Sequence, residues 1–450
     1  METLLKNQNA FFQSDRTKPL AYRKEKLLSL KKAILDHESL INEALRLDLN
    51  KSPFEAYTTE VGFCLASIDH TVKNLKRWTK PKKVSTPLTN FYSTSFILKE
   101  PLGSVLIIGP YNYPFQLVIE PLIGALAAGN TVILKPSEHA VHTEQVLVNL
   151  IRSCFEPHEV AIVTGDASVT NTLIHLKFDH IFFTGSTKVG KIVYEAASKN
   201  LVPVTLELGG KSPTIIDETA NLRFSARRVA FGKWINAGQT CIAPDYIYVQ
   251  SSVKEAFIKE LKQVLHEMQL NAESLGKIIH KGHFDRLTKM IDPAKVIHGN
   301  DTHAPSLYIS PTLMDQVSWS DPIMQEEIFG PILPILSFET IDDVISTLKV
   351  KEKPLALYLF SENKETQSKV MTSLSYGSGA INDTIMQISN RHLPFGGVGS
   401  SGIGAYHGQH SIDTFSHPKS MVKKASWFDL DLLYPPYTEK TLKLIRKILK

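Results

Sequence analysis

Cysteine is scarce in this chain of 450 residues, where only Cys64, Cys154 and Cys241 occur. These thiols are too widely spaced for a disulfide framework or a paired zinc-ligand pattern, so we expect a reducing cytosol and no bound metal. Long apolar runs are also lacking. The longest, residues 117–128, is too short to span a bilayer and contains a glutamate and a proline. The N-terminus has no apolar stretch typical of a secretory signal.

Excess charge is small, with a net charge of +5 from 50 basic and 45 acidic residues. Most of it lies in residues 421–450, where seven basic residues outnumber three acidic ones. The rest of the chain is near neutral, so we expect no nucleic-acid partner. The length predicts two or three domains with room for large cores.

The pattern that is present is typical of an α/β fold. Between residues 20 and 80, apolar residues recur at three- and four-residue steps, which predicts helices. From Gly103 onward, short apolar runs such as SVLIIG, TVILK and HIFFTG alternate with helical patterns, one of which predicts a helix from Glu120 to Ala128. This alternation predicts buried parallel strands. A second series follows, so we infer two α/β domains with a boundary near Glu207 to Lys211. Thr89 to Glu100 predicts an extended ribbon, and Leu393 to Gly404 a glycine-rich loop without regular structure.

Two turns at strand ends are candidates for a cofactor site. HIFFTGSTKVGK predicts a strand, a turn with Gly185 and Gly190, and a helix whose N-terminus faces an anion such as a phosphate. The turn lacks the middle glycine of the common dinucleotide fingerprint, so a structural role explains this motif alone at least as well. ILKPSE ends a strand with Lys135 and Glu138, which can bind ribose hydroxyls, although a solvated turn capped by Ser137 is the simpler explanation.

Three further residues are candidates for catalysis. Glu207 lies in LELGGKS, where burial would raise its pKa toward that of a general base, although a carboxylate satisfied by backbone donors is an equal alternative. Asn112 in GPYNYP can donate to an oxyanion, but a turn asparagine is commoner. Cys241 lies in the polar turn NAGQTCIAPD, which suits an exposed thiolate, whereas the helical surroundings of the other two cysteines predict small buried hydrophobes. A lone cysteine is nevertheless more often inert than catalytic.

The order of the motifs carries more information than any one motif. PYNYP, KPSE, FTGSTKVG, LELGGKSP, NAGQTC, EEIFGP and PFGGVGSSGIG follow one another in a way that resembles the NAD(P)-dependent aldehyde dehydrogenase superfamily over nearly the whole chain. The length, the short N-terminus and the YPPYTEK tail look most like the class 3 enzymes, which act on fatty or aromatic aldehydes. Tyr111 departs from the pattern, because many relatives carry tryptophan there. We expect this change to reshape the pocket and to leave Asn112 in its role.

The resemblance implies an aldehyde dehydrogenase-like α/β fold with a Rossmann-like cofactor domain, a catalytic domain and a β-ribbon for oligomerisation. Its expected divisions are residues 1–82 and 101–207 for the cofactor domain, 208–395 for the catalytic domain, 83–100 and 396–425 for the oligomerisation segments, and 426–450 for a basic tail. It also implies that Cys241 attacks the aldehyde carbon to give a thiohemiacetal and then a thioester. Asn112 and the Cys241 backbone N–H would stabilise the oxyanion, and Glu207 would activate the hydrolytic water.

The implied cofactor is NAD, with NADP as the alternative. Glu138 favours NAD because its charge repels a 2′-phosphate. The implied cofactor-binding residues are Lys135 and Glu138 at the adenosine ribose, Gly185, Ser186, Thr187, Lys188, Val189 and Gly190 at the pyrophosphate, and Glu327 and Phe329 at the nicotinamide ribose and ring.

Three other functions stay open at this stage. A thiol hydrolase or esterase would use Cys241 and Glu207 but would leave the phosphate turn idle. A non-catalytic, membrane-associated scaffold is favoured by the basic tail and disfavoured by the complete catalytic set. An acylating dehydrogenase would pass the thioester to coenzyme A, and Glu207 disfavours it because a hydrolytic base competes with that transfer.

We expect a soluble, cytoplasmic homodimer that oxidises medium- or long-chain aliphatic or aromatic aldehydes. The ribbon presents large side chains and unpaired strand edges that a second subunit would cover; these side chains are Phe91, Tyr92, Phe96 and Ile97. The tail places Leu442, Ile445 and Leu449 on one helical face and its lysines on another. This predicts docking on the protein, or at most weak contact with an anionic membrane.

Overall fold

The computed structural model describes residues 1–430 and 434–448. Its helices are α1 (Glu2–Gln13), α2 (Leu20–Leu49), α3 (Pro53–Ala56), α4 (Gly62–Thr79), α5 (Gln116–Ala128), α6 (Val141–Cys154), α7 (Ala167–Ile174), α8 (Thr187–Ser198), α9 (Leu222–Trp234), α10 (Lys254–Met268), α11 (Lys281–Met290), α12 (Ile341–Lys349), α13 (Lys364–Ser373), α14 (Gln409–Thr414) and α15 (Glu439–Ile448). Its strands are β1 (Lys82–Val84), β2 (Ser93–Pro101), β3 (Ser104–Ile108), β4 (Thr131–Lys135), β5 (Val160–Ile162), β6 (His180–Thr184), β7 (Val204–Glu207), β8 (Pro213–Ile216), β9 (Tyr246–Gln250), β10 (Val296–His298), β11 (Thr302–His303), β12 (Tyr308–Ile309), β13 (Thr312–Met314), β14 (Ile332–Phe338), β15 (Ala356–Phe360), β16 (Ser378–Ile381), β17 (Gly402–Ile403) and β18 (Ser416–Lys424).

The first sheet has the strand order β17-β7-β6-β3-β4-β5. Its strands from β7 to β5 are parallel, as the continuous apolar runs predict, and β17 adds an antiparallel edge. Gly402 pairs with Glu207 and Ile403 with Leu206. The prediction that residues 393–404 lack regular structure is therefore wrong for β17, because β7 offers a free edge. The chain builds outward from β3 to β5 and then places β6 on the other side of β3, a reversal that leaves a crevice at the carboxyl ends of the strands.

The second sheet has the order β10-β13-β14-β9-β8-β15-β16, and all its pairs are parallel except that of β10 with β13. Helices pack against both sheets. The wholly buried α5 is the longest apolar run of the chain. The predicted fold class, with two α/β units and a ribbon, is confirmed. The last strand of the first parallel series, β7, ends at Glu207, and β8 of the second sheet begins at Pro213.

The ribbon is a three-stranded antiparallel sheet in the order β1-β2-β18. The expectation of unpaired edges is wrong for β2, because residues 93–101 bond to β18 on one side and β1 covers part of the other. The extended segment also begins at Ser93 rather than Thr89, since residues 88–90 form a single 3-10 turn. Phe91 and Tyr92 remain exposed at the tip of the ribbon, where Trp427 and Phe428 contact the ring of Tyr92.

The tail forms α15, in which Leu442 and Leu444 are exposed. Leu449 and Lys450, which the sequence placed on the helix, lie outside the described residues. Across residues 1–430 and 434–448, no helix combines the length and the apolar character that a bilayer crossing requires.

Candidate active site

One cleft at the carboxyl edge of the first sheet gathers the predicted site residues. It has a volume of about 1140 Å³ and lies beyond the ends of β3, β4, β6 and β7. All predicted site residues except Gly190 line it, namely Asn112, Lys135, Glu138, Gly185, Ser186, Thr187, Lys188, Val189, Glu207, Cys241, Glu327 and Phe329. Gly190 is buried in α8 instead, where an added Cβ would lie 2.6 Å from Leu208 Cδ2.

The turn that carries Cys241 follows a sharp backbone kink after α9. Asn236 and Ala237 both have φ of +51°, an unusual conformation for residues other than glycine. The buried side chain of Gln239 holds the turn in place, because its Oε1 accepts the N–H of Ile279 at 3.1 Å. The kink at Asn236 and Ala237 thus changes the direction of the chain shortly before Cys241.

The Cys241 thiol is half-buried. Burial raises its pKa, and the carboxylates of Glu327 and Glu207 raise it further. Cys241 is therefore less exposed than its turn position predicted, and it still lines the cleft. The neighbouring polar side chains of Asn236, Gln239 and Thr240 are themselves buried.

Asn112 follows β3 and is buried. Its Nδ2 donates to the carbonyl of Gln239 at 3.0 Å, and its own carbonyl accepts Nδ2 of Asn236 at 2.7 Å. These two hydrogen bonds join the loop after β3 to the Cys241 turn. The second N–H of the Asn112 amide is left for another acceptor.

Glu207 ends β7 and is 2% exposed. Neither carboxylate oxygen has a hydrogen-bond partner among the described residues. Burial therefore raises the pKa of Glu207 well above its usual value. Of the two alternatives that the sequence left open, a carboxylate satisfied by backbone donors does not describe this residue.

The turn between β6 and α8 presents a helix N-terminus to the cleft. The N–H of Gly185 donates to the carbonyl of Glu207 at 3.0 Å, and Ser186 caps α8 by accepting the N–H of Val189 at 3.4 Å. Thr187 donates its hydroxyl to the carbonyl of Ser400 at 3.2 Å. Because the first-turn N–H groups of a helix lack intrahelical acceptors, this end can bind an anion.

Lys135, at the end of β4, is almost fully buried. Its Nζ donates to the carbonyl of Pro136 at 2.6 Å and to Glu138 Oε2 at 3.3 Å. Glu138 is about one-third exposed at the cleft. The alternative prediction of a solvated turn is wrong for Lys135, because the side chain of this residue is buried at the end of β4.

The EEIFGP loop also lines the cleft, through Glu326, Glu327 and Phe329. Burial, followed by the nearby Asp245 carboxylate, raises the pKa of Glu327 to about 8. Phe329 has φ of +53°, and its ring lies 6.0 Å from that of Tyr111. Tyr111 also lines the cleft, and its effect on the shape of the pocket stays a prediction.

Residues that the sequence interpretation missed hold this loop. Arg286 on α11 donates to the carbonyls of Glu327 at 3.1 Å and Ile328 at 2.6 Å. His283 bonds the carbonyl of Phe329 through Nε2 at 2.8 Å. No local pattern marked α11, because its link to the loop spans about forty residues and exists only after folding.

A family model described as "Aldehyde dehydrogenase family" matches residues 2–421. The chain belongs to the aldehyde dehydrogenase family. This aldehyde dehydrogenase oxidises aldehydes to carboxylic acids and uses NAD(P), as the motif order implied.

Relatives of this aldehyde dehydrogenase include proteins of family 3, which confirms the class 3 resemblance. The 4,4′-diaponeurosporen-aldehyde dehydrogenase of Staphylococcus aureus is 51% identical over 440 residues, with 96% of each chain covered. The aldehyde dehydrogenase family 3 member B3 of Mus musculus is 42% identical, with 99% of this chain and 94% of the relative covered. A solved substrate-bound state of Staphylococcus aureus AldH matches with a TM-score of 0.98 at 49% identity, covering 100% of this chain and 99% of the other.

The cleft of this aldehyde dehydrogenase fits a dinucleotide. At Gly209 an added Cβ would lie 2.1 Å from Glu327 Oε2, so the absence of a side chain there lets the Glu327 carboxylate pack against the backbone that follows β7. The hydroxyl of Thr184, at the end of β6, is buried with no hydrogen-bond partner in the part of the chain that the structure describes, so it can bond a ligand. In residues 1–430 and 434–448, no three His, Cys, Asp or Glu side chains are arranged to hold a metal ion.

Proposed function

We propose that Cys241, Asn112 and Glu207 carry out the oxidation. Cys241 gives its thiol proton to water in the cleft, and the thiolate Sγ attacks the aldehyde carbon. The negative charge that forms on the carbonyl oxygen is stabilised by the second amide N–H of Asn112 and the backbone N–H of Cys241. Loss of hydride from the same carbon leaves a thioester on Sγ. When bound, NAD(P)+ would accept this hydride at its nicotinamide ring.

Glu207 then takes a proton from the water that attacks the thioester, and Sγ leaves as the carboxylic acid forms. The observation that carries this proposal is the cleft itself, which Cys241, Glu207 and Asn112 share with the N-terminus of α8. Neither oxygen of the Glu207 carboxylate has a hydrogen-bond partner among the described residues, which supports its role because a general base needs a free oxygen for water.

We also propose how this chain holds the cofactor. The α8 turn from Gly185 to Gly190 binds the pyrophosphate, with Ser186, Thr187, Lys188 and Val189 along the cleft. Lys135 and Glu138 bind the adenosine ribose, and the Glu138 charge favours NAD over NADP. Glu327 holds the nicotinamide ribose, and Phe329 packs by the ring.

For the substrate we propose an apolar medium- or long-chain aliphatic or aromatic aldehyde. Phe54 and Tyr57 are exposed on either side of Glu55, whose carboxylate accepts the N–H of Asn236 in the kink before Cys241 at 2.8 Å. Exposed Phe231 lies on α9, which leads directly into the same kink. Apolar surface beside the catalytic turn favours apolar substrates. The Staphylococcus aureus relative is named for 4,4′-diaponeurosporen-aldehyde.

Steady-state rates over an aliphatic aldehyde series, measured with NAD and with NADP, test this proposal. We expect kcat/KM to rise with chain length, by up to about fourfold per methylene that becomes buried. A flat or falling series would contradict the apolar assignment. Ester or thioester cleavage without NADH formation would instead favour the thiol hydrolase.

We also propose an oligomeric state, a domain division and a cellular location for the protein. The exposed aromatic tip of the ribbon supports a homodimer, because an isolated subunit would leave these rings in water. We propose that residues 1–82 and 101–207 form the cofactor domain, 208–395 the catalytic domain, 83–100 and 396–425 the oligomerisation segments and 426–450 the tail. The separate sheets and the ribbon support this division. The scarcity of cysteine supports a cytoplasmic location.

A further inference from the structure

A fully buried ion pair lies behind the active-site loop, outside the residues considered so far. Lys51 Nζ and Glu60 Oε1 are 2.5 Å apart, and both side chains are 0% exposed. Burying two charges costs desolvation free energy, so such a pair is weak support for a purely stabilising role. Its other contacts show what it holds in place.

Glu60 lies on a single π-helical turn, Tyr57–Val61, between α3 and α4. The turn closes tightly, because a Cβ at Gly62 would lie 2.7 Å from the ring of Tyr57. The second carboxylate oxygen of Glu60 accepts the N–H groups of Phe115 at 2.9 Å and Gln116 at 3.0 Å. Glu60 thereby fixes the start of α5 immediately after the loop that carries Asn112.

Lys51 also contacts the loop that carries Asn112. Its Nζ donates to the carbonyl of Asn112 at 3.2 Å and lies 3.9 Å from the ring centre of Tyr113. The Tyr113 hydroxyl in turn hydrogen-bonds the hydroxyl of Thr240 at 2.6 Å. The ion pair therefore contacts the chain at the Asn112 carbonyl and directly after it, and through Tyr113 it reaches the residue that precedes Cys241.

We propose that the Lys51–Glu60 ion pair positions Asn112 as an oxyanion donor. Lys51 and Asn236 both donate hydrogen bonds to the Asn112 carbonyl, and the Asn112 side-chain amide donates one N–H to the carbonyl of Gln239. Because the amide group is planar, these bonds fix the direction of its second N–H. This inference rests on the proposed role of Asn112. It makes Lys51 and Glu60 positioning residues that do not touch the substrate.

The test compares Glu60→Gln, Asn112→Ala and the double variant in the full-length protein. Single-turnover NADH formation is followed by stopped flow at saturating cofactor. We expect Asn112→Ala to slow hydride transfer by about 10²- to 10³-fold, the usual effect of removing one oxyanion donor. Glu60→Gln should slow it by about 10- to 100-fold, because displacements near 1 Å have effects of this size. In the Asn112→Ala background, Glu60→Gln should then change the rate by less than about twofold.

Three further readouts separate positioning from general damage. NADH binding, measured by fluorescence, and alkylation of Cys241 by iodoacetamide should be unchanged in Glu60→Gln, because neither uses the oxyanion donor. Glu159→Gln is the matched control, since Glu159 also binds a lysine and a backbone N–H but lies outside the cleft. It should leave the hydride-transfer rate unchanged. If Glu60→Gln does not fold, Lys51→Met replaces it and leaves the Glu60 bonds to α5 intact.

Equal effects of Glu60→Gln in both backgrounds would overturn the inference, and so would a wild-type rate in Glu60→Gln or Lys51→Met. Slower alkylation of Cys241 or weaker NADH binding in Glu60→Gln would show that the ion pair only maintains the fold, which would also overturn the inference. A wild-type rate in Asn112→Ala would instead overturn the proposed function of Asn112, so the two failures are distinguishable.

Discussion

Replacing Glu207 by glutamine should slow hydrolysis of the thioester and leave hydride transfer to the cofactor unchanged. The substitution keeps the size of the side chain, and it breaks no hydrogen bond with the described residues because neither carboxylate oxygen has one. The variant should therefore fold and bind cofactor normally. Hydride transfer does not need the base, whereas hydrolysis of the thioester does.

The size of the effect follows from the base that is removed. A positioned general base typically contributes about 10²- to 10⁴-fold, which corresponds to about 3 to 5 kcal/mol of activation free energy. We expect deacylation in Glu207→Gln to slow by that factor while the first turnover stays near the wild-type rate. NADH formation should then show a burst equal to the concentration of active sites, followed by a slow steady state.

The pH dependence provides a second measurement. Burial raises the pKa of Glu207, so wild-type deacylation should increase as pH rises through that raised value and the carboxylate forms. The glutamine variant should show no such increase. The raised pKa also means that the folded state favours the protonated form. Wild-type stability should therefore fall relative to Glu207→Gln as pH rises.

Stopped-flow absorbance at 340 nm with excess aldehyde measures both phases, and Glu159→Gln outside the cleft is the control. A variant that shows no burst because hydride transfer itself is lost would refute the assignment of Glu207 to the water step.

The remaining predictions concern other parts of the chain. Cys241→Ala should abolish aldehyde oxidation while calorimetry still detects NAD binding, because the α8 turn is a separate element; substantial residual activity would contradict the mechanism. Burial raises the pKa of Glu120 from 4.5 to about 7, so Glu120→Gln should gain about 3 kcal/mol of unfolding free energy relative to the wild type between pH 4 and pH 9, measured by urea unfolding. Equal pH slopes for the two proteins would show that Glu120 is not perturbed. Sedimentation at micromolar concentration should give the mass of a dimer, and Tyr92→Asp at the exposed ribbon tip should weaken it; a wild-type mass of one chain would rule the dimer out. Deletion of residues 439–450 should remove at most weak binding to anionic vesicles that disappears at high salt, and tight, salt-resistant co-sedimentation would contradict this expectation.

Local patterns were sufficient for the elements whose residues are buried on all sides. Strands such as β3, β4 and β6 were predicted from continuous apolar runs, because only a covered parallel sheet hides such runs from water. The start of α5 was placed four residues too late, at Glu120 rather than Gln116. The cap that begins this helix is the distant carboxylate of Glu60, which no local motif indicates.

The sequence by itself determined the α/β class, the order of the motifs and hence the family, because spacing along the chain carries that information directly. Only the tertiary structure decided that β2 is covered by β1 and β18, that Cys241 is half-buried rather than exposed, and that the Glu207 carboxylate has no partner. It alone also joined Lys51 and Glu60 to the Asn112 loop. The physical reason is the same in each case. Burial and pairing depend on which distant segments cover a residue, and segments such as residues 51–60 and 112–116 meet only when the sheet and its helices have packed.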